Sequence, residues 1–345
     1  MMKQKMVMCL LAGVLVLGIG GCGTQEVEVP EVEKVETAEE EPVPEETAEE
    51  EGDEQEKTDA EDQLKEVPTV DDAAESGKTE PEETEAASAP VVYEDGGQIT
   101  LDPSWTYADH SKINSGAAVL YKAAENRKEI VVGVNAGHGT SGGTKVKTLC
   151  HPDGSAKVTG GTTAAGATEA VAVSSGMTFN DGTPESSVTL RMAQILKEKL
   201  LAAGYDVLML RDGDDVQLDN VARTVICNNA ADCHIALHWD GDGLNYDKGC
   251  FYISVPDGLK SMEPVASHWS EHNALGSALV EGLRAQGAKI NGGGSMSIDL
   301  TQTSYSTVPS VDMELGNACS DHSDSALELL GDGLVQGVNS YFGQS

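Results

Sequence analysis

The chain has 345 residues, with 58 Asp and Glu against 22 Lys and Arg, a formal net charge of −36 and a pI near 4.3. That balance excludes the basic footprint that gathers nucleic-acid phosphates, so no nucleic-acid partner is expected. The charge is unevenly placed: from Glu26 to Asp95 there are 29 Asp and Glu against 4 Lys, about 25 of the 36 net negative charges, and the low pI describes a tail more than a folded surface.

At the start of the chain Lys3 and Lys5 precede an apolar stretch from Met6 to Ile19, then Gly20, Gly21 and Cys22. This is the layout of a secretory signal with small residues before its cut site. "IGGC" resembles a bacterial lipobox, which implies that residues 1–21 are removed and that Cys22 becomes a lipid-carrying N-terminus. The expected protein is extracytoplasmic and anchored to the cell membrane without spanning it. A simple signal peptide with a chance cysteine is the bland alternative.

Residues 22–95 are read as a disordered acidic linker, since scattered Pro, dense charge and no aromatic before Tyr93 cannot build a core. A flexible chain of that length spans about 45 Å root-mean-square. Residues 96–128 form a lead-in segment, and 129–345 are enough for one well-buried domain.

In that domain, runs rich in Val, Ile and Leu predict strands at 130–136, 205–211, 233–239, 249–255, 296–301 and 310–315. Val188, Met192, Ile195, Leu196, Leu200 and Ala203 follow helical spacing and end at Gly204, with Thr183 as the expected cap and Pro184 in the first turn. Further helices fit 216–230, 262–286 and 325–341. The alternation predicts an α/β fold, a single domain around a mostly parallel or mixed twisted sheet of about six strands flanked by helices. Sites in such sheets gather at the carboxyl ends of the strands. Residues 140–184, rich in Gly, Thr, Ala and Ser, read as a long insertion, either a lid or groove wall or a mobile ornament. Five cysteines (150, 227, 233, 250 and 319) leave at least one unpaired, show no C-x-x-C spacing and are expected to be mostly buried thiols.

Three side chains invite chemistry. His138, in "GVNAGHG", follows the first strand between two glycines, although a lone histidine there is more often structural. In "CHIALHWD", His234 and His238 are four apart; on a strand that is about 13 Å, too far to share an ion. His238 at the carboxyl end is therefore the candidate, and His234 is assigned to packing or a sheet-face hydrogen bond. Glu185 opens a helix, where a dipole-stabilising acid is the bland reading. Together, two imidazoles and a carboxylate are the donor set of a catalytic zinc that keeps a fourth position free.

At this point the sequence resembles the zinc-dependent N-acetylmuramoyl-L-alanine amidase family. The resemblance runs from about Ile130 to Phe342 through "GVNAGHG", "ESSVTLRMAQILKEKLLAAGYDVLMLRDGDD", "VARTVICNNAADCHIALHWD" and "VPSVDMELG", in that order. It implies that His138, Glu185 and His238 hold Zn2+ and that Glu314 is the catalytic carboxylate. Peptidoglycan would be cleaved between N-acetylmuramic acid and L-alanine, with a zinc-bound water as nucleophile and Glu314 as general base and then acid. A monomer is the expected state. Glu314 lies in a largely apolar strand, where a salt bridge to Arg211 or Arg223 is the structural alternative to a catalytic role.

The sequence departs from the family pattern at Trp239, Asp240 and Asn317, where a small residue, Asn and an aromatic are usual, and in the length between His138 and Glu185. Trp239 is expected either to stack on a sugar or to plug the core. Two rivals remain at this stage. "HWSEH", with His268, Glu271 and His272, matches the inverted zincin spacing of a zinc peptidase. A non-catalytic tethered protein that binds peptidoglycan or activates a partner is the other.

Overall fold

The computed structural model describes residues 93–344; the signal stretch, Cys22 and nearly all of the acidic linker lie outside the described residues. The lead-in segment supplies β1 (Gln98–Ile99) and β2 (Ala118–Tyr121), and the first long strand is β3 (Val131–Ala136). Within the long insertion β4 (Lys147–Leu149) and β5 (Glu169–Val171) form an antiparallel pair. Then come α1 (Glu185–Ala202), β6 (Asp206–Met209), α2 (Asn220–Ala230) and β7 (Cys233–Asp240). After β8 (Cys250–Ser254) follow α3 (Val265–Ala285), β9 (Ile290–Ser297), α4 (Thr301–Tyr305), β10 (Ser310–Asn317) and α5 (Asp324–Tyr341). None of the helices among the described residues is long and apolar enough to cross a membrane.

The expected α/β architecture is present, with eight strands in the order β1-β2-β6-β3-β7-β10-β8-β9. Strands β6, β3, β7 and β10 run parallel at the centre, while β2 and β8 join them antiparallel, so the sheet is mixed. The two strands beyond the predicted six are β1 and β2, too short and too isolated in the lead-in to carry a period-2 signal.

Alternation along the strands sorts the core into two layers. Val132, Val134 and Ala136 of β3, Ile235, Leu237 and Trp239 of β7, and Val311, Met313 and Leu315 of β10 share one core with Val188, Met192 and Leu196 of α1 and with α3 and α5. The opposite layer joins Leu120, Leu208 and Leu210 to Ala222, Ile226 and Cys227 of α2. By the same alternation His234 and His238, and Asp312 and Glu314, project from the face opposite the α1 layer.

Several boundaries differ from expectation, three of them for a readable reason. The strand predicted at 296–301 is instead β9, Ile290–Ser297, because Gly292–Gly294 read as a breaker while lying within an edge strand; Thr301 already begins α4. Helix α2 starts at Asn220 and not at 216, since the Asp219 side chain accepts the Ala222 N–H and caps it there. For α1 the half-in residue is Pro184, with extended ψ of 138° and no side-chain cap, so Thr183 is not the cap.

The insertion is tied down. The ring of His151, itself fully buried, meets the buried Asp299 carboxylate at 3.0 Å and Ser155 Oγ at 2.8 Å. Asp299 also accepts the Val158 N–H at 2.7 Å, and Lys157 donates to its carbonyl. All five cysteines are free thiols, buried except for the half-buried Cys319.

Candidate active site

The end of β3 is shaped by two buried arginines. Arg223 donates to Asn135 Oδ1 at 3.0 Å, Ala136 O at 3.1 Å and His138 O at 2.8 Å. Arg211 donates to Ala136 O at 3.2 Å, Gly137 O at 3.0 Å and Ser186 O at 2.9 Å. Burial pulls both guanidiniums down, Arg211 to about 10 and Arg223 to about 9, which leaves them charged at neutral pH. Their bonds offset the cost of holding His138 in the left-handed region at φ 65°. Neither pairs with Glu314, so the expected salt-bridge alternative for that carboxylate does not form.

His138, Glu185 and His238 meet, although they come from a loop, a helix start and a strand end. His138 Nε2 lies 2.8 Å from Glu185 Oε1, His238 Nδ1 lies 3.0 Å from His138 Nε2, and His238 Nδ1 lies 3.2 Å from Glu185 Oε1. Among the described residues, this is the group of His, Cys, Asp and Glu whose ligating atoms all fall within 4.8 Å and could hold a metal ion. Two glycines make room. A Cβ on Gly137 would lie 2.3 Å from His238 Cε1, and one on Gly176 would lie 2.7 Å from His138 Cδ2.

Two of the three are oriented by hydrogen bonds from outside the group. His138 Nδ1 meets the Ser174 carbonyl oxygen at 3.0 Å, which places the proton on Nδ1 and leaves the inner Nε2 lone pair free. Glu185, only 2% exposed, accepts the Met177 N–H at Oε2 (2.7 Å) and the Trp239 N–H at Oε1 (3.0 Å). Burial pushes the Glu185 carboxyl up, but the bonds from His138 and His238 outweigh it and hold it well below the usual carboxylate range. Burial likewise disfavours the His238 imidazolium, yet Asp312, Glu185 and Glu314 raise it to about 10. Met177 acts through a backbone N–H that any residue carries, and Ser174 through its carbonyl together with its hydroxyl, also 3.0 Å from His138 Nδ1; no sequence signal marks either.

Glu314 sits on β10 in register with His238 of β7. Its Oε2 is buried without a hydrogen-bond partner, and burial, with Asp312 next, pushes its proton affinity well above that of an ordinary carboxylate. Asp312, two residues earlier on the same face, lies 3.8 Å from His238 Nε2 through Oδ2.

The rival motif does not assemble. His272 is buried and accepts the Ser310 N–H at Nδ1, 3.0 Å, while Glu271 is 56% exposed, 3.8 Å from His268. His234 is fully buried with neither ring nitrogen bonded, which makes it a packing residue. Trp239 is 2% exposed against Phe179, so it plugs the core and presents no face to a sugar. Asn317, where the family usually has an aromatic, donates to Asp242 at 3.2 Å and to Tyr246 O at 3.0 Å, bracing the loop after β7.

The sequence profile of a family described as N-acetylmuramoyl-L-alanine amidase matches residues 132–329, more than half of the chain. Among solved structures, the chain is similar to the crystal structure of the N-acetylmuramyl-L-alanine amidase Ami1 from Mycobacterium smegmatis, at 20% identity and a TM-score of 0.52, over 64% of this chain and 99% of that one. It is also similar to the apo form of Ami1 from Mycobacterium abscessus, at 21% identity and a TM-score of 0.50, over 62% and 99% of the two chains. These likenesses concern the fold. No curated protein matches the chain. With the profile spanning β3 to α5, the chain belongs to the N-acetylmuramoyl-L-alanine amidase family, whose activity is hydrolysis of an amide in peptidoglycan.

Proposed function

We propose that the chain cleaves the amide between the lactyl carbonyl of N-acetylmuramic acid and L-alanine, using one zinc ion held by His138, Glu185 and His238. The observation that carries this reading is the convergence of two imidazole nitrogens and one carboxylate oxygen within 4.8 Å, with no fourth His, Cys, Asp or Glu in the group. That donor set fits catalytic zinc, which keeps one position for a non-protein ligand. When bound, zinc lowers the pKa of water to about 7 and polarises a carbonyl oxygen.

The chain's own residues supply the rest. Glu314, beside His238 and unpaired at Oε2, takes a proton from the attacking water. It returns that proton to the alanine nitrogen as the C–N bond breaks, so a lactyl carboxylate and a free amine form and the enzyme is unchanged. Burial raises its proton affinity above that of an ordinary carboxylate, the direction that favours a group which first takes and then returns a proton. Ser174 O and the Met177 N–H keep His138 and Glu185 aimed inward.

In this reading the chain works outside the cytoplasm as a monomer, tethered through lipid on Cys22, with the acidic stretch as spacer. Fatty-acid labelling that is lost in Cys22→Ser tests the tether. Digestion of purified peptidoglycan, with and without a chelator, tests the chemistry. New N-terminal L-alanine and free lactyl carboxylate, appearing only without chelator, are expected; new termini at any other bond overturn the assignment.

A further inference from the structure

Asp312 is the remaining charged group at this site without a stated task. Alternation along β10 places it on the face that carries Glu314, and its strand partner across β7 is Ala236, two residues before His238. Two carboxylates two positions apart on one strand face stand about 7 Å from each other and repel. Asp312 Oδ1 is moreover buried with no hydrogen-bond partner. A carboxylate kept in such a place needs a reason.

The reason lies in the asymmetry of the two imidazoles. His138 turns its outer nitrogen to the Ser174 carbonyl at 3.0 Å. His238 turns its inner Nδ1 to His138 and Glu185, which leaves Nε2 as the outer nitrogen. Among the described residues the group that meets that nitrogen is Asp312 Oδ2, at an ion-pair separation of 3.8 Å. Gly137, beneath the ring, offers no side chain to steer it.

We infer that Asp312 is a positioning residue for the metal centre: its carboxylate faces the His238 Nε2–H, fixes the tautomer that leaves Nδ1 free to ligate, and raises the ring's strength as a ligand. The inference rests on the zinc reading above. Outer partners of this kind are worth about 10- to 100-fold in metal affinity.

Zinc affinity by chelator competition, with the cobalt-substituted spectrum as a second readout, tests it on the parent chain and on Asp312→Ala, Asp312→Asn, His138→Ala and His238→Ala. Asp312→Ala is expected to bind zinc about 10- to 100-fold more weakly and to shift the cobalt bands. Asp312→Asn, which keeps an oxygen facing Nε2 but no charge, is expected to lose less. A merely structural role would lower the melting temperature and leave affinity and spectrum alone. A loss below threefold in folded Asp312→Ala overturns the inference; should that variant not fold, Asp312→Asn is judged by the same threshold. A parent chain that takes up no stoichiometric zinc, or that keeps zinc in His138→Ala and His238→Ala, ends the zinc reading and this inference with it. Zinc lost in the histidine variants but unchanged in both Asp312 variants ends the inference alone.

Discussion

Glu314 stands opposite His238 across the parallel pairing of β10 with β7, and it does so without a cationic partner. Glu314→Gln keeps the shape and removes the proton acceptor. Turnover on peptidoglycan is expected to fall by about 10²- to 10⁴-fold while zinc content stays at that of the parent. Rate and metal analysis on the same preparation check both halves; unimpaired turnover would remove Glu314 from the chemistry.

Gly137 lies where a Cβ would be 2.3 Å from the His238 ring. Gly137→Ala must push that ring away from Glu185 and His138. Overpacking of this kind costs about 1–3 kcal/mol, so zinc should bind roughly 5- to 150-fold more weakly. Competition titration measures this, and a parent-like affinity would mean that the imidazole has room the structure does not show.

Asp299 and His151 form a fully buried pair that fastens the insertion to the loop before α4. Removing one partner leaves the other charged or polar group stranded, at about 3–5 kcal/mol. Asp299→Ala should therefore unfold earlier in urea and admit protease between residues 150 and 168. Resistance equal to that of the parent would show that the segment is held by other contacts.

His234 and His272 are buried neutral, and burial draws each down to about 3. The unfolded chain binds protons at these positions from about pH 6.5 downward while the folded chain does not. Stability is thus fully present above pH 6.5 and is lost as pH falls from there toward 3, by roughly 1.4 kcal/mol per pH unit for each histidine. In urea unfolding between pH 5.5 and 4.5, His234→Leu should reduce the pH slope of stability by about one proton relative to the parent. A slope that ignores that substitution would sink the account.

Much of this architecture was readable from residue patterns because it depends on long apolar runs. "VVGVNA" and "CHIALHWD" are buried strands with few other options, and both are where they were expected. The triple-glycine stretch of β9 was not readable, since an edge strand gains its place from its β8 neighbour and not from its own side chains. At the site, His138, Glu185 and His238 stood out through residue type, and the fold brings them together. Ser174 O and Met177 N did not, being main-chain atoms. By residue type Arg211 and Arg223 suit an ion pair with Glu314, whereas they brace the carbonyls around His138, a role set by tertiary packing. Asp312 carries no sequence signal of its own, since its place beside His238 comes from the pairing of β10 with β7.

On the zinc reading, the contacts from Ser174 and Met177 would put part of the metal grip on the long stretch between β3 and α1, outside the main sheet. Docking of that stretch and capture of an ion are then a single linked equilibrium, with equal and opposite leverage. Whatever free energy the seated stretch lends to the ion, the ion lends back to the stretch. Trimming the stretch to make a smaller enzyme would loosen the cation, and starving the protein of metal would leave the same stretch the first part open to a protease.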